Sequence, residues 1–424
     1  MKQKIKILHI AFFLFGLILF IRFDKFIDFL ELLFQYFLFF VYDFSGALSF
    51  LNFPLIDAII SIKLFVIIPI CLYVFRRSSL LNKPVSFSIF VTIVLIFVFI
   101  FAPLLAEWHP DFQKDVTVTK FLPPLSKVNI IYLSSGESKP LSREEKFLLA
   151  RDKAITKSFD DNLLFADSLS YNSKVVKYFQ DGFSKEISTE KVVIFDGIPK
   201  IEQTIFWLGT DEFGRDVLAR IIYGTRISLL VGIGSVIISL ILGLGLGFLS
   251  GYSGGFTDTV LSRLTEMFLS FPIIFLVVMI IALFGNSLLA VIIVLGFSGW
   301  MSLFKIVKSE VASVKKKDFF LSARLIGLSG LRLLLRELLP VMTAPVLVNL
   351  VFQFGYVILA ESTLSFLGLG TGTEYPSWGA MIQAGQQHIT KAWWMIIFPG
   401  SVLIAALISA NNIGRSLIKQ INSR

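Results

Sequence analysis

A chain of 424 residues that is 55% hydrophobic and only 16% charged, with a mean hydropathy of +0.79, is too apolar for ordinary soluble domains and places most of its length in lipid. Its single cysteine, Cys71, excludes an intrachain disulfide framework and a thiolate zinc site, and its three histidines are scattered. The formal charge of +9 would suit nucleic acid, but the cations gather between apolar stretches, which points to loops on one side of a membrane and away from a nucleic-acid partner.

Residues 1–84 open with basic Met1 to Lys6 and apolar Ile7 to Ile21. That order resembles a signal peptide, but no small-residue cleavage site precedes Arg22 and Phe23, so it reads as an uncleaved anchor. Phe26 to Tyr42 is aromatic-rich yet carries Asp28 and Glu31, the composition of an interfacial helix. Leu64 to Phe75, extended backward past Lys63, forms a second span ending at Arg76. A third span here would put the basic start outside, against the charge rule.

A helix crossing about 30 Å of hydrocarbon needs about 20 apolar residues. Val85 to Leu105 meets this, as do Ile227 to Thr257, Val341 to Ala360 and Ala392 to Gly414. Met267 to Phe304 is uncharged for 38 residues and reads as two spans joined at Gly285-Asn286. This makes a six-helix core, with residues 106–206 as a charged extracytoplasmic insert and 207–424 carrying the last five helices. Arg76, Arg77 and Lys83, then Arg263, then the loop at about 305–340, then Arg415, Lys419 and Arg424 all fall on one side, which places the C-terminus in the cytoplasm.

No Gly-Lys dipeptide occurs, so the chain has no P-loop and does not hydrolyse ATP alone. The five clearest apolar stretches hold no ionisable residue, which disfavours an ion-coupled carrier, and no filter-like motif favours a channel. Any energy must come from a partner. Between Lys305 and Glu337 eight cations face three acids. Within that loop Asp318 to Gly327 reads as a short helix with Phe319, Ala323 and Gly327 on one face. Gly327 suits a helix stop and Pro340 a new start. On these grounds docking to a partner and resting on anionic headgroups are equally good readings.

Longer motifs carry a resemblance. Leu321-Ser322-Ala323, Gly327 and Leu339-Pro340 resemble the Glu-Ala-Ala, Gly, Leu-Pro loop of ABC importer permeases, with Leu321 in place of the usual Glu and Glu337 in place of the usual Ile. Trp207 to Arg220 followed by Ile222 to Ser228, Ala360 to Gly370 followed by Pro376 to Ala380, and Ala102-Pro-Leu-Leu-Ala106 are similar to stretches of the dipeptide and oligopeptide subfamily. The tail, with Asn412, Gly414, Arg415 and Ser416, departs from that subfamily's Asn, Gly-Asp-Gly pattern. The resemblance implies an all-α polytopic membrane protein in a bacterial cytoplasmic membrane, with a permease core, extra N-terminal membrane helices and an insert. It implies the second of two paired permeases in a peptide-type importer, with Phe319, Leu321, Ser322, Ala323, Gly327, Leu339 and Pro340 in the loop that couples to an ATPase. The implied partners are a homologous permease, two ABC ATPase subunits and an extracytoplasmic solute-binding protein. No cofactor is expected on this chain, ATP with magnesium belonging to the ATPases. A membrane-anchored scaffold working through its outer domain, an exporter component, and import of nickel or another small solute are the alternatives.

Gly243, Gly247 and Gly251 form a ridge read first as intrachain packing, with a sliding surface in a transport cycle as the alternative. Gln353, Glu361, Asn411 and Asn412 are polar groups at or near span depth, open to pathway and to structural readings. Trp393 and Trp394 read as an interfacial belt, and the Asp211 to Arg220 cluster as a charged network fixing an elbow.

Overall fold

A computed structural model describes residues 6–78, 81, 84–134, 142–155, 162–172, 175–180, 182–195, 198–285, 287–325, 327, 330–370 and 375–422. Met1 to Ile5, Lys83, Asn286, Arg424 and the side chain of Leu321 lie outside the described residues. Two compact units are formed: Met1–Ser86 with Ile93–Arg226 and Ala384–Phe398, and Phe87–Thr92 with Ile227–Gln383 and Pro399–Arg424.

In the first unit α1 (Ile7–Ile21) turns by 85° at Arg22 into α2 (Phe23–Tyr42). The short α3 (Phe44–Ser49) is capped by Asp43, whose Oδ1 accepts from the Gly46 amide at 3.0 Å, and α4 (Phe53–Val74) by Asn52, which accepts from Leu55 at 3.1 Å. α5 (Phe87–Leu105) loses helical geometry at Phe101, two residues before Pro103. Proline has no N–H for the carbonyl four residues back, which is that of Phe99. Arg226 supplies the missing donor, its Nε lying 2.6 Å from that oxygen. Its two terminal nitrogens grip Asp57 of α4, one at 2.6 Å from Oδ1 and the other on Oδ2. The extra N-terminal helices are thus fastened to permease-core elements. Phe15, Phe65, Phe97 and Phe101 close around them as an aromatic cluster.

The insert is not helical throughout. After α6 (Val116–Thr119), β1 (Ser126–Tyr132) is the centre of an antiparallel sheet between β2 (Leu163–Ala166) and β8 (Ile201–Phe206). β3 (Ser168–Tyr171), β4 (Val175–Gln180) and β5 (Phe183–Ser188) form a second sheet, and β6 (Ile194–Phe195) with β7 (Ile198–Pro199) a small hairpin. Alternate residues of β1, Val128 and Ile130, are buried with Phe165, Phe206 and the stacked pair Trp108–Phe112. Between β1 and β2, α7 (Arg143–Ala154) leaves the sheet and seats Phe147, fully buried, against Tyr36, Phe39 and Phe50 around α2. Insert and N-terminal region therefore share one core.

α8 (Val217–Ser253) has 37 residues, about 55 Å at 1.5 Å per residue, and exceeds a bilayer's core. In the second unit α9 (Gly255–Ser270), α10 (Ile273–Phe284) and α11 (Leu288–Val314) follow. The expected first half of the Met267 to Phe304 stretch is not one continuous helix. Phe271, extended before Pro272, ends α9, as the residue before proline is pushed out of helical geometry. α10 is then only 12 residues, closed at Gly285 with φ +85. α12 (Asp318–Leu325), α13 (Gly330–Leu333), a π-helical turn (Leu334–Leu338), α14 (Leu339–Phe366), α15 (Trp378–Gln386) and α16 (Trp394–Asn422) complete the chain. Among the described residues, six helices are long and apolar enough to cross: Pro54–Val74, Phe87–Leu105, Val217–Ser253, Leu288–Val314, Arg336–Phe366 and Trp394–Gln420.

The glycine ridge packs within the chain. Cβ atoms placed on Gly243, Gly247 and Gly251 of α8 would stand 2.7, 2.8 and 2.8 Å from the Cβ atoms of Leu303, Val307 and Val311 of α11. The same four-residue period on both helices lets their backbones meet closely at three points over about two turns.

Candidate functional site

α11 and the loop after it are fastened at their base. Lys315 Nζ donates to the carbonyls of Gly251 at 3.2 Å and Tyr252 at 2.7 Å, covering the open C-terminal end of α8. Lys308 Nζ bridges Asp258 Oδ1 at 2.5 Å and Ser262 Oγ at 2.7 Å on α9. That bond, with one from Ser250, holds the Asp258 carboxyl below its ordinary range.

On this base α12 buries Phe320 and Ala323 in a cluster with Val314, Leu333, Leu338 and Met342. The expected common face of Phe319, Ala323 and Gly327 is not formed. Ala323 points inward, Gly327 lies beyond the helix in the left-handed region at φ +88, and the outward residues are Phe319, Ser322 and Leu325. Leu325, 88% exposed, was missed by pattern reasoning because an apolar residue next to a buried face looks like core. The helix stop near Gly327 is as expected, but Leu339-Pro340 does not open a new helix, because helical turns run on from Gly330 through the π-helical turn into α14. Pro340 has no N–H to give the Arg336 carbonyl, and the preceding turn is π-helical. Pro340 is exposed and Leu339 half-buried.

The polar residues of the core have different settings. Gln353 of α14 is 8% exposed and wedged against Gly299 of α11 and Ser239 of α8; neither amide atom has a partner among the described residues. One turn away Asn349 Nδ2 donates to Ser302 Oγ at 3.1 Å while its Oδ1 is buried without a partner among the described residues. Asn411 is exposed, and Asn412 Nδ2 donates to Ser88 Oγ at 3.1 Å. Glu361 is not solvated: it is fully buried and accepts from Ser365 Oγ at 2.7 Å and Ser362 Oγ at 3.5 Å. Ser377 lies 3.3 Å from Ser365, and Ser228 Oγ accepts from the Trp378 amide at 3.3 Å. Around this carboxyl the two motif strings meet, since Cβ atoms on Gly370 and Gly379 would lie 1.9 Å from Ser365 Oγ and 2.5 Å from Ser362 Cα. Both glycines are there so that α15 can close on α14.

The Asp211 to Arg220 cluster is an elbow. Asp211 Oδ1 accepts from the amides of Phe213 and Arg215, both at 2.9 Å, and Oδ2 pairs with Arg215 Nε at 2.7 Å. Arg220 reaches the Pro110 carbonyl at 3.3 Å and Asp111 at 3.4 Å. Asp216 caps α8 through the amides of Leu218 and Ala219 at 3.2 and 3.0 Å, and burial pushes its carboxyl up to about 7. Trp393 is exposed as expected of a belt, but Trp394 is buried with its Nε1 on the Thr210 carbonyl at 3.0 Å.

The family model for binding-protein-dependent transport system inner membrane components matches residues 243–424. The chain is 37% identical over 211 residues to the dipeptide transport system permease protein DppC of Alkalihalophilus pseudofirmus, covering 50% of this chain and 69% of that relative. It is 38% identical over 211 residues to the oligopeptide transport system permease protein OppC of Haemophilus influenzae, covering 50% and 68%. To the di/tripeptide transport system permease protein DppC of Pseudomonas aeruginosa it is 36% identical over 215 residues, covering 51% and 71%. The chain belongs to the family of binding-protein-dependent transport system inner membrane components. It is a multi-pass membrane permease component whose core is extended by an N-terminal region and an insert.

Proposed function

We propose that this chain is a transmembrane subunit of an ATP-driven importer of di- or oligopeptides. It forms the pathway with a second homologous permease. Two ABC ATPase subunits, carrying ATP and magnesium, dock on the coupling helices, and an extracytoplasmic solute-binding protein delivers substrate. The chain sits in a bacterial cytoplasmic membrane with its C-terminus inside. α1 and α4 are the extra spans, α2 lies along the outer interface, and residues 106–206 face outward. Supporting that placement, Arg22 pairs with Glu107 at 3.0 Å beside the end of α5, and Lys25 donates to the Ala106 carbonyl.

The observation that carries the reading is α12, a short helix whose inner face is locked into the bundle while Phe319 and Leu325 project outward from a cation-rich loop. An exposed apolar pair on a fixed support suits a groove in a partner protein. Peptides are the substrate class because the relatives matched above are named for dipeptides and oligopeptides. The test is uptake of a labelled dipeptide into proteoliposomes holding the complete complex. Leu325→Asp removes the apolar contact without touching the buried face, and should abolish ATP-dependent uptake while the subunit still inserts. Undiminished uptake by that variant refutes α12 as the coupling contact.

A further inference from the structure

On the side of α11 away from the glycine ridge, an open groove of about 700 Å³ runs between α11 and α14. Its polar lining comprises Lys305, Ser309, Glu310 and Asn349, with Phe352 and Ile418 among the apolar residues. Lys305 is exposed and Glu310 half-buried, and neither has a hydrogen bond or ion pair with another described residue. Lys308, the other lysine of α11, is already engaged, as is Lys315 at its C-cap. The groove therefore offers a free cation, a free carboxylate and, at Asn349 Oδ1, a buried acceptor with no donor among the described residues. Such a mixture, mostly apolar with few polar groups of both signs, is the make-up of a small-molecule site.

The charges narrow the ligand. Lys305 and Glu310, five residues apart on α11, both line this groove and carry opposite charges, as do the two ends of a short unblocked peptide. We propose that this groove holds a short peptide with both termini free, Lys305 taking the terminal carboxylate and Glu310 the terminal ammonium. The proposal rests on the permease reading and gives its substrate class a place on this chain. An ammonium donates only and a carboxylate accepts only, so the pair selects both the ends and their direction. Phe352 and Ile418 offer apolar surface without a polar partner, so side chains are accommodated rather than read. The groove would accept many sequences and reject blocked ends.

The test is equilibrium binding of labelled alanyl-alanine, its N-acetyl derivative and its C-terminal amide to the purified complete transporter without the binding protein. Wild type should bind the free dipeptide saturably. Lys305→Met should weaken the free dipeptide by about tenfold or more, and the amide far less, since a lost charge-assisted bond is worth about that factor. Glu310→Gln should do the same for free against acetylated peptide. The double exchange Lys305→Glu with Glu310→Lys should recover binding, because the ligand can reverse; a structural role would not be rescued so. Equal losses on all three ligands, no loss, or no saturable binding by a complex that transports alanyl-alanine each overturn the proposal. A complex that transports no peptide overturns the substrate reading itself.

Discussion

Arg226 offers the sharpest test of whether the N-terminal region is part of the permease or an appendage. Its guanidinium fills the carbonyl that Pro103 leaves open on Phe99 and holds both oxygens of Asp57, with the two side chains only 19% and 16% exposed. Arg226→Met leaves the Phe99 carbonyl without a donor, at about 1–3 kcal/mol, and strands the Asp57 carboxylate. Breaking a fully buried pair costs about 3–5 kcal/mol, and partial exposure lowers the carboxylate's share, so about 3 kcal/mol in total is expected. Asp57→Asn keeps one acceptor for the guanidinium and the whole Phe99 bond, so about 1 kcal/mol should be lost. The double variant should cost scarcely more than Arg226→Met, giving a coupling energy of about 1 kcal/mol. Denaturation of the detergent-solubilised chain, followed in a double-mutant cycle, measures each quantity. Strictly additive losses, or an Asp57→Asn cost equal to that of Arg226→Met, would refute the bridge.

Gly247→Leu places a side chain 2.8 Å from Val307 Cβ and 3.0 Å from the Phe304 carbonyl, so α8 and α11 must part; a loss of about 1–3 kcal/mol, read by thermal denaturation, is expected, whereas Gly245→Leu, with nothing within 4 Å, should be nearly neutral. Gly327→Ala should impair uptake through backbone strain, since φ is +88 although the space around it is empty; an effect no larger than that of an exposed helical Gly→Ala change would contradict this. Asp216, raised from 3.8 to about 7, binds its proton more tightly folded than unfolded, so its contribution favours folding most below the unfolded value and is lost as pH rises towards 7, at about 1.4 kcal/mol per unit. Asp216→Asn, which still accepts from the Leu218 and Ala219 amides, should flatten that slope in melting curves taken between pH 4 and 7.

The spans were legible because their signal is length without charge, and the Gly243, Gly247, Gly251 period stated its own packing. Pro272 was equally visible, but an uninterrupted apolar run masked the break it imposes between α9 and α10. The insert's strands are short and cross-paired, β1 lying between β2 and β8 from opposite ends of the segment, so no local window contains the pairing that makes them strands. In the loop after α11 the helix stop could be read from Gly327, since glycine acts through its own backbone. Which face turns outward could not, because Phe319 and Phe320 are equivalent in composition and only the cluster around Leu333 and Met342 decides that Phe320 goes in.

The same loop is held by two unlike arms, and that difference bears on how a push at α12 would travel. α11 is zipped to α8 over Leu303, Val307 and Val311, tied to α9 through Lys308 and clamped to the end of α8 through Lys315. These contacts are close-packed or charge-assisted, and shifting one requires breaking its neighbours. α14 begins on a π-helical turn, with prolines at 340 and 345 each removing a main-chain bond from its first turns. Force on α12 therefore reaches α11 through Val314 and the start of α14 through Leu338 and Met342, and the prolines leave the α14 side with fewer main-chain bonds to resist bending. The groove between α11 and α14 lies between these two arms. A ligand gripped by Lys305 and Glu310, both on the stiff arm, would keep its termini bound while Asn349 and Phe352 on the other arm withdraw. Release in that case begins from the peptide's middle, and Asn349→Leu should change the rate of transport more than the affinity for the free dipeptide.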